Sequence, residues 1–217
     1  MPDIAAPVAY PVEICNIIDQ VVARPDFDHG LWGDGCLELV RCYIRNYYRD
    51  VQLGICAYCR SDVSLQASLN CHVEHIAPKS IYKNFIFESK NLCVICADCN
   101  VIKREQEVVC NIPDTVKAGA RRKKYPRSSG AFKIFHPHFD VYEDHIEVFD
   151  SFYVDKTDKG HFTIGACRLN RKIREFGWEL PFEEVAVAAA AAKYLEASDP
   201  LARSRALRRL KKMLVLV

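Results

Sequence analysis

Apolar residues recur at helical spacing in two stretches near the start of the chain, residues 12–23 and 34–51. In the second stretch, one side collects a run of aliphatic and aromatic residues: Leu37, Val40, Tyr43, Ile44, Tyr47 and Tyr48. Spacings of three and four residues put such side chains on one face of a helix. A loop rich in glycine separates the two stretches. The pattern therefore predicts two N-terminal helices.

The spacing changes between residues 131 and 166, where apolar and polar residues alternate in short runs. Alternation with a period of two is typical of strands that bury one face. It predicts three strands here, at residues 132–135, 146–149 and 161–164.

Helical spacing returns from Leu169 onward, including a run over residues 182–197. A last helix is predicted after Asp199 and Pro200, because aspartate is a common N-cap and proline suits the first helical turn. In that helix Leu207, Leu210 and Leu214 should pack against protein, while basic residues point outward. The whole pattern predicts an α+β fold with more helix than strand.

Composition narrows the class of protein. Half of the 217 residues are hydrophobic, which excludes a disordered or collagen-like chain. The longest apolar run, residues 185–192, is far shorter than the ~20 residues of a membrane span. Residues 1–11 lack the basic start and long apolar stretch of a secretory signal. We therefore expect a soluble, cytoplasmic protein with no membrane partner.

The net charge of +2 hides two basic segments. The first contains Lys117, Arg121, Arg122, Lys123, Lys124 and Arg127, and the second contains Arg203, Arg205, Arg208, Arg209, Lys211 and Lys212. Neutralising phosphates supplies most nonspecific affinity for nucleic acid, so both segments are candidate contacts, and Tyr125 could stack on a base. A solvated loop is the alternative for the first segment. Docking on a protein partner is the alternative for the second.

Eleven cysteines are many for a cytoplasmic chain, and four of them form two Cys-x-x-Cys pairs, Cys56/Cys59 and Cys96/Cys99. Two such pairs supply the four thiolates of a closed, structural zinc site. A redox pair is the alternative. Cys93 has the same spacing from Cys96 and could replace it as a ligand. The remaining cysteines are expected to pack as buried thiols: Cys15, Cys36, Cys42, Cys71, Cys93, Cys110 and Cys167.

Between the two pairs the sequence reads Val73-Glu74-His75-Ile76-Ala77-Pro78-Lys79-Ser80, followed by Asn91-Leu92, and the second pair continues into Asn100 and Lys103. This ordered set resembles the HNH endonuclease family, in its zinc-stapled form with a ββα-metal fold. The resemblance covers residues 55–104, about a quarter of the chain. Position 74 is Glu where many members have Asp, and position 100 is Asn where the family name has His. Both departures keep an oxygen ligand.

The resemblance implies a role for each matching residue. His75 would be the general base, and Glu74 and Asn100 would bind a catalytic Mg²⁺ or Mn²⁺. Asn91 would fix the loop that follows His75 through side-chain to backbone hydrogen bonds. Lys79 and Lys103 could contact phosphate or be solvated, and the alternative role for Asn100 is to cap the helix that follows. Because adjacent strand residues point to opposite faces, Glu74 and His75 can both serve only at a bulge or a strand end.

A second histidine-rich region contains His136, His138, His145 and His161, with Asp140 and Asp144 among them. We expect a hydrogen-bonded surface there, and a second metal site is the alternative. Seven acidic residues between positions 140 and 158 predict a solvated edge, or a partner for the basic segments.

The sequence therefore predicts a metal-dependent endonuclease acting on DNA. The alternatives are an RNA-cleaving enzyme, for example on tRNA, and a non-catalytic zinc module that binds nucleic acid or protein. A looser likeness to the standalone HNH nucleases of Septu and retron-associated anti-phage systems implies a partner ATPase and a role in defence. The predicted regions are N-terminal helices at 1–54, the nuclease core with its zinc site at 55–110, a basic linker with strands at 111–168, and C-terminal helices at 169–217.

Overall fold

The computed structural model describes residues 2–108, 114–117, 123–149, 152–176 and 185–214. The fold is α+β, about half helical, with two small antiparallel sheets. The chain divides into two units, Met1–Leu169 and Asn170–Val217. In the part of the chain that the structure describes, no helix is long and apolar enough to cross a membrane.

The two predicted N-terminal helices are present, as α1 (Val12–Val22) and α2 (Glu38–Val51). Short 3₁₀ turns at His29–Gly33 and Gly35–Leu37 lead into α2, so the regular helix begins later than residue 34. One face of α2 buries three residues at four-residue spacing: Val40, Ile44 and Tyr48. The burial of this face fixes α2 against the core.

A hairpin and a helix follow α2 in the first unit. Strand β1 (His72–His75) pairs antiparallel with β2 (Leu92–Ile95), and α3 (Ala97–Val108) begins directly after β2. Helix α2 packs against both strands. The Tyr48 hydroxyl of α2 also donates to the Ser89 carbonyl at 2.5 Å, in the 3₁₀ turn that precedes β2. The order is therefore two strands and a helix, with α2 lying across the strands.

The second sheet pairs β3 (Ile146–Phe149) with β4 (Phe152–Asp155), between the short α4 (Tyr142–His145) and α5 (Asp158–Ala166). The predicted strand at 146–149 is confirmed. The predicted strand at 161–164 is wrong, since these residues lie in α5. The Thr157 side chain caps α5 by accepting from the Gly160 amide at 3.2 Å. A Cβ at Gly160 would lie 1.9 Å from the His145 carbonyl oxygen, so the helix packs closely on the preceding segment.

The predicted strand at 132–135 is also wrong. Phe132 makes only an isolated bridge to Val116. The amide of Phe135 donates to the Thr163 hydroxyl at 2.8 Å instead of to a neighbouring strand. Phe132 and Ile134 are buried with Lys133 exposed between them, so the alternation is present, but the backbone pairing is limited to the bridge with the segment around Val116, where the Lys133 amide donates to the Thr115 carbonyl at 2.8 Å.

The histidine-rich region is the predicted hydrogen-bonded surface only in part: His161 is exposed, and His145 Nδ1 lies 2.8 Å from the Thr157 hydroxyl. His136 and His138 are buried, and the His136 ring stacks on Phe139 with centroids 4.3 Å apart. Tyr125, expected to stack on a base, is buried too, and its hydroxyl lies 2.8 Å from His136 Nε2. Asp140 is buried within the same cluster. Aromatic side chains surround these polar residues, both nearby ones such as Phe139 and distant ones such as Phe85, which packs edge-to-face on Tyr125.

The acidic segment is a solvated edge only in part. Glu143, Asp144 and Asp158 are exposed. Asp140 instead accepts hydrogen bonds from the Lys159 ammonium at 2.7 Å and the His136 amide at 2.8 Å. One acid of the segment therefore serves the core as the partner of a lysine.

The second unit contains α6 (Arg171–Phe176), α7 (Val185–Glu196) and α8 (Pro200–Leu214). The predicted cap is present, because Asp199 Oδ1 accepts from the Ala202 amide at 2.8 Å. Helices α7 and α8 pack on each other. In α8 Leu210 is buried, and three basic residues are exposed, as predicted: Arg205, Arg208 and Arg209.

Candidate functional site

Four cysteines lie together in the first unit: Cys56, Cys59, Cys96 and Cys99. All four are buried, and their sulfur atoms lie within 4.8 Å of one another. The Cys59 and Cys96 sulfurs are 3.5 Å apart. Tetrahedral zinc with Zn–S bonds of about 2.3 Å separates its sulfurs by ~3.8 Å, so the cluster fits this ion. Among the described residues it is the only group of three or more potential metal ligands of the His, Cys, Asp and Glu type.

The two pairs come from different local structures. The first closes a turn in which the Arg60 amide donates to the Cys56 carbonyl at 3.1 Å. The second spans the start of α3, where the Asn100 amide donates to the Cys96 carbonyl at 3.1 Å. Hydrogen bonds from the neighbouring thiols lower the pKa of Cys59, which provides a thiolate in this buried site.

The other described cysteines do not join the cluster. Cys93 is buried in β2 opposite Glu74, outside the ligand set. Burial matches the prediction for Cys71, Cys93 and Cys167. The prediction is wrong for Cys36, which is exposed in the turn before α2. Cys110 lies outside the described residues.

A cleft of about 720 Å³ lies beside β1 and the start of α3. It brings together five of the residues singled out from the sequence: Glu74, His75, Lys79, Asn100 and Lys103. The loop before α2 and the polar side of α2 also contribute to its lining. Two of these five residues, Glu74 and His75, are adjacent in β1. They reach the same cleft because His75 is the last residue of the strand.

Glu74 is a buried carboxylate, with 7% of its surface exposed. Its Oε1 accepts a hydrogen bond from the Tyr58 hydroxyl at 3.2 Å and forms an ion pair with the Lys103 ammonium. A buried carboxylate needs a positive partner, and Lys103 supplies it. Lys103 is therefore the charged partner of Glu74.

His75 is buried beneath Trp32, whose ring meets the imidazole edge-to-face at 4.5 Å. Its Nε2 lies 3.1 Å from the Ile86 carbonyl oxygen. Because a carbonyl can only accept, Nε2 bears the proton and Nδ1 keeps its lone pair. Burial, assisted by the charge of Lys79, lowers the pKa of His75 to about 3. The imidazole is therefore neutral at any ordinary pH.

Asn91 is fully buried behind the segment that follows His75, outside the lining of the cleft. Its Oδ1 accepts from the Ala77 amide at 2.7 Å, and its Nδ2 donates to the Phe85 carbonyl at 2.9 Å. Its backbone carbonyl accepts from the Ile76 amide at 2.9 Å. Asn91 thus makes the side-chain to backbone bonds that would hold the end of β1 in place.

The described lysines of the first basic segment do not line the cleft. Lys123 and Lys124 are exposed and do not line it. Arg121 and Arg122 lie outside the described residues. His72 does line the cleft, and its Nε2 is bonded to the Leu69 carbonyl at 2.9 Å.

The sequence reasoning missed several residues of the lining: His29, Trp32, Arg41, Arg45 and Arg104. The arginines of α2 had a detectable signal, because Arg41 and Arg45 are four residues apart and lie on one flank of the apolar face of the helix. Nothing in the local sequence distinguishes that arrangement from an ordinary solvated helix face. The loop residues His29 and Trp32 have no comparable signal.

The cleft combines a neutral imidazole, two side chains with oxygen donors and several cations. Carboxylate and amide oxygens are the ligands that hard divalent ions such as Mg²⁺ prefer. Positive side chains suit an anionic substrate. No family model, curated protein or solved structure gives a significant match to the chain. The case for a function therefore rests on these residues and their geometry.

Proposed function

We propose that the chain is a metal-dependent HNH endonuclease that hydrolyses phosphodiester bonds of DNA. The observation behind the proposal is that Glu74, His75 and Asn100 line one cleft beside two strands and a helix. A four-cysteine cluster that fits zinc lies at the start of the same helix. This is the combination that the family resemblance implies, and a non-catalytic zinc module would not need it.

The residues of the cleft fit a divalent ion. The Glu74 carboxylate and the Asn100 amide oxygen would hold Mg²⁺ or Mn²⁺, which usually keeps several waters. The Lys103 ammonium beside Glu74 indicates that this position favours a positive charge. When bound, the ion would offset negative charge that develops on the phosphate and on the leaving oxygen.

His75 would act as the general base. Its protonated Nε2 is held by the Ile86 carbonyl, which leaves Nδ1 to take a proton from the attacking water. A base with a pKa of about 3 is weak in the empty cleft. A phosphate bound nearby would raise that pKa, because a negative charge favours the imidazolium form. The cleft thus keeps the base neutral until the substrate is present.

The test is cleavage of supercoiled plasmid and of labelled oligonucleotides with Mg²⁺ or Mn²⁺. We expect His75→Ala to lower the rate by a factor of about 10² or more, the usual contribution of a general base. His72→Ala is the matched control, since His72 lines the same cleft, and it should keep near-normal cleavage. Both variants should keep their zinc and remain folded. Unchanged cutting by His75→Ala would refute the proposal.

The lining residues named here act on phosphate, so the nature of the target is a separate question. Duplex DNA, single-stranded DNA and folded RNA should be compared in the same assay, and preference for RNA would favour the alternative enzyme. The looser likeness to anti-phage nucleases supports a role in defence with a partner ATPase. Assays should therefore be run with and without an ATPase encoded next to this gene. Zinc binding without cleavage under all of these conditions would favour a binding module.

A further inference from the structure

The polar side of α2 forms one wall of the cleft. Arg41 and Arg45 both line it, one helical turn apart. Arg49, a further turn along, does not line it. Because α2 packs against β1 and β2, this wall is rigidly held next to the strand that carries Glu74 and His75. The helix lies outside the segment that resembles the HNH family.

The two arginines of this wall differ in their hydrogen-bond partners. Arg41 donates to the Trp32 carbonyl at 2.5 Å and the Asp34 carbonyl at 2.7 Å, and it pairs with Glu38. Its guanidinium is therefore used to hold the loop before α2.

Arg45 makes one weak hydrogen bond, from Nη1 to the Cys42 sulfur at 3.6 Å. Its Nε is buried without a hydrogen-bond partner. In the described part of the chain no carboxylate pairs with it within 4.0 Å. A half-buried guanidinium with unused donors suits an anion that arrives from outside.

The charge of the cleft agrees with such an anion. Its lining contains five basic residues, Arg41, Arg45, Lys79, Lys103 and Arg104, against a single acid, Glu74. Lys103 forms an ion pair with Glu74, and Arg41 bonds to carbonyls of the loop before α2. Arg45 thus stands out as a planar donor that could grip two oxygens of one phosphate.

We infer that Arg45 is a substrate-binding residue that holds a phosphate of the nucleic-acid strand in the cleft. The inference rests on the proposed function, because it takes a phosphodiester as the ligand. It adds a contact from a helix outside the HNH-like segment. It also gives a use to the buried Arg45 Nε, which has no hydrogen-bond partner within the protein.

The test measures binding of a fluorescein-labelled DNA strand by anisotropy, over a range of salt concentrations and without added divalent ion. We expect Arg45→Gln to weaken binding by about tenfold, the effect of one charged hydrogen bond. It should also reduce the slope of log Kd against log salt by ~0.7, the value for one phosphate contact on a single strand. Arg45→Lys should keep the slope but bind more weakly than the unmodified chain, because it loses the bidentate fork.

Arg49→Gln is the matched control. Arg49 lies on the same helix and also has a buried Nε without a partner, but it does not line the cleft. It should leave the affinity and the salt slope unchanged. Equal effects of Arg45→Gln and Arg49→Gln, or no effect of Arg45→Gln, would overturn the inference. If Arg45→Gln fails to fold, normal affinity in Arg45→Lys would overturn it.

The outcome is separable from that of the proposed function. If His75→Ala abolishes cleavage while Arg45→Gln binds normally, the endonuclease proposal stands and the role of Arg45 is refuted. If Arg45→Gln loses the phosphate contact while His75→Ala cuts normally, the phosphate site stands and His75 is not the base.

Discussion

Cys99 and Asn100 are consecutive residues in the first turn of α3, yet they belong to two different sites. The Cys99 side chain enters the four-cysteine cluster, and Asn100 lines the cleft. Successive helical residues differ in direction by about 100°, so one turn can serve both. The cluster and the cleft are therefore neighbours on the same helix. They differ in how open they are and in whether their polar groups already have partners.

The cluster is closed, because its four buried sulfurs contact one another and would fill the shell of one zinc ion. The cleft is open, and it keeps reactive groups whose bonding capacity is not used up, such as the His75 Nδ1 and the Arg45 guanidinium. A closed site can only stabilise the fold, whereas an open one can bind a substrate. Because Asn100 follows Cys99 directly, its position, and with it any metal in the cleft, depends on the cluster.

The largest expected effect is loss of the cluster. We expect Cys99→Ser, or removal of zinc by a chelator, to unfold the β1–β2–α3 region and abolish cleavage. The apparent binding energy of a structural zinc is about 10–16 kcal/mol, as large as the whole stability of a typical domain. Circular dichroism, zinc content and cleavage should fall together.

Cys93→Ala provides the control for the cluster. Cys93 is buried in β2 but lies outside the ligand set, so the variant should keep its zinc and lose only about 1 kcal/mol of stability. Loss of zinc from this variant, with zinc retained by Cys96→Ala, would mean that Cys93 and not Cys96 is the ligand.

An intermediate effect is expected at the ion pair of the cleft. Lys103→Met would leave the buried Glu74 carboxylate without its cation, which typically costs about 3 kcal/mol. Thermal unfolding without divalent ions should therefore occur at a lower temperature. Added Mn²⁺ should restore more stability to this variant than to the unmodified chain, because the ion no longer competes with the ammonium.

Arg104→Met is the comparison for this variant, since Arg104 is adjacent in sequence and also lines the cleft. It should melt near the normal temperature and gain no extra stabilisation from Mn²⁺. If both variants respond equally to Mn²⁺, the ion does not bind at Glu74.

The two sites also differ in how far the sequence could predict them. The cluster could be predicted because each Cys-x-x-Cys pair forms a local turn that supplies two sulfur ligands. Two such turns complete the shell of one zinc ion. The helices α1, α2 and α8 were equally accessible, since helical spacing and the Asp199 cap are local signals. These features depend on residues that are close in sequence.

The misses depend on distant residues. His138 and Tyr125 look polar and accessible in sequence, but Tyr48 packs edge-to-face on His138 and Phe85 packs edge-to-face on Tyr125. The segment 161–164 alternates like a strand, yet the Thr157 cap and the close packing at Gly160 favour a helix. Arg45 lines the cleft only because α2 packs against β1, a contact between residues that are far apart in sequence. In each case tertiary contacts outweigh the local pattern.

The smallest expected effect concerns pH, and it tests whether the cleft is as dry as the burial of His75 indicates. With a pKa of about 3, His75 stays neutral from pH 8 to pH 5, so kcat/KM should change less than about twofold while zinc remains bound. With a solvated histidine, whose pKa is ~6.5, kcat/KM would fall about thirtyfold by pH 5.

The stability of the fold should depend on pH in a different way. The unfolded chain takes up the proton near pH 6.5 and the folded chain only near pH 3, so the contribution of His75 to stability is complete above 6.5 and is lost as the pH falls between these values. In His75→Ala this part of the acid destabilisation should be absent. A cleavage rate that falls with a midpoint near pH 6.5 would mean that water reaches the His75 imidazole freely, against the burial seen in the structure.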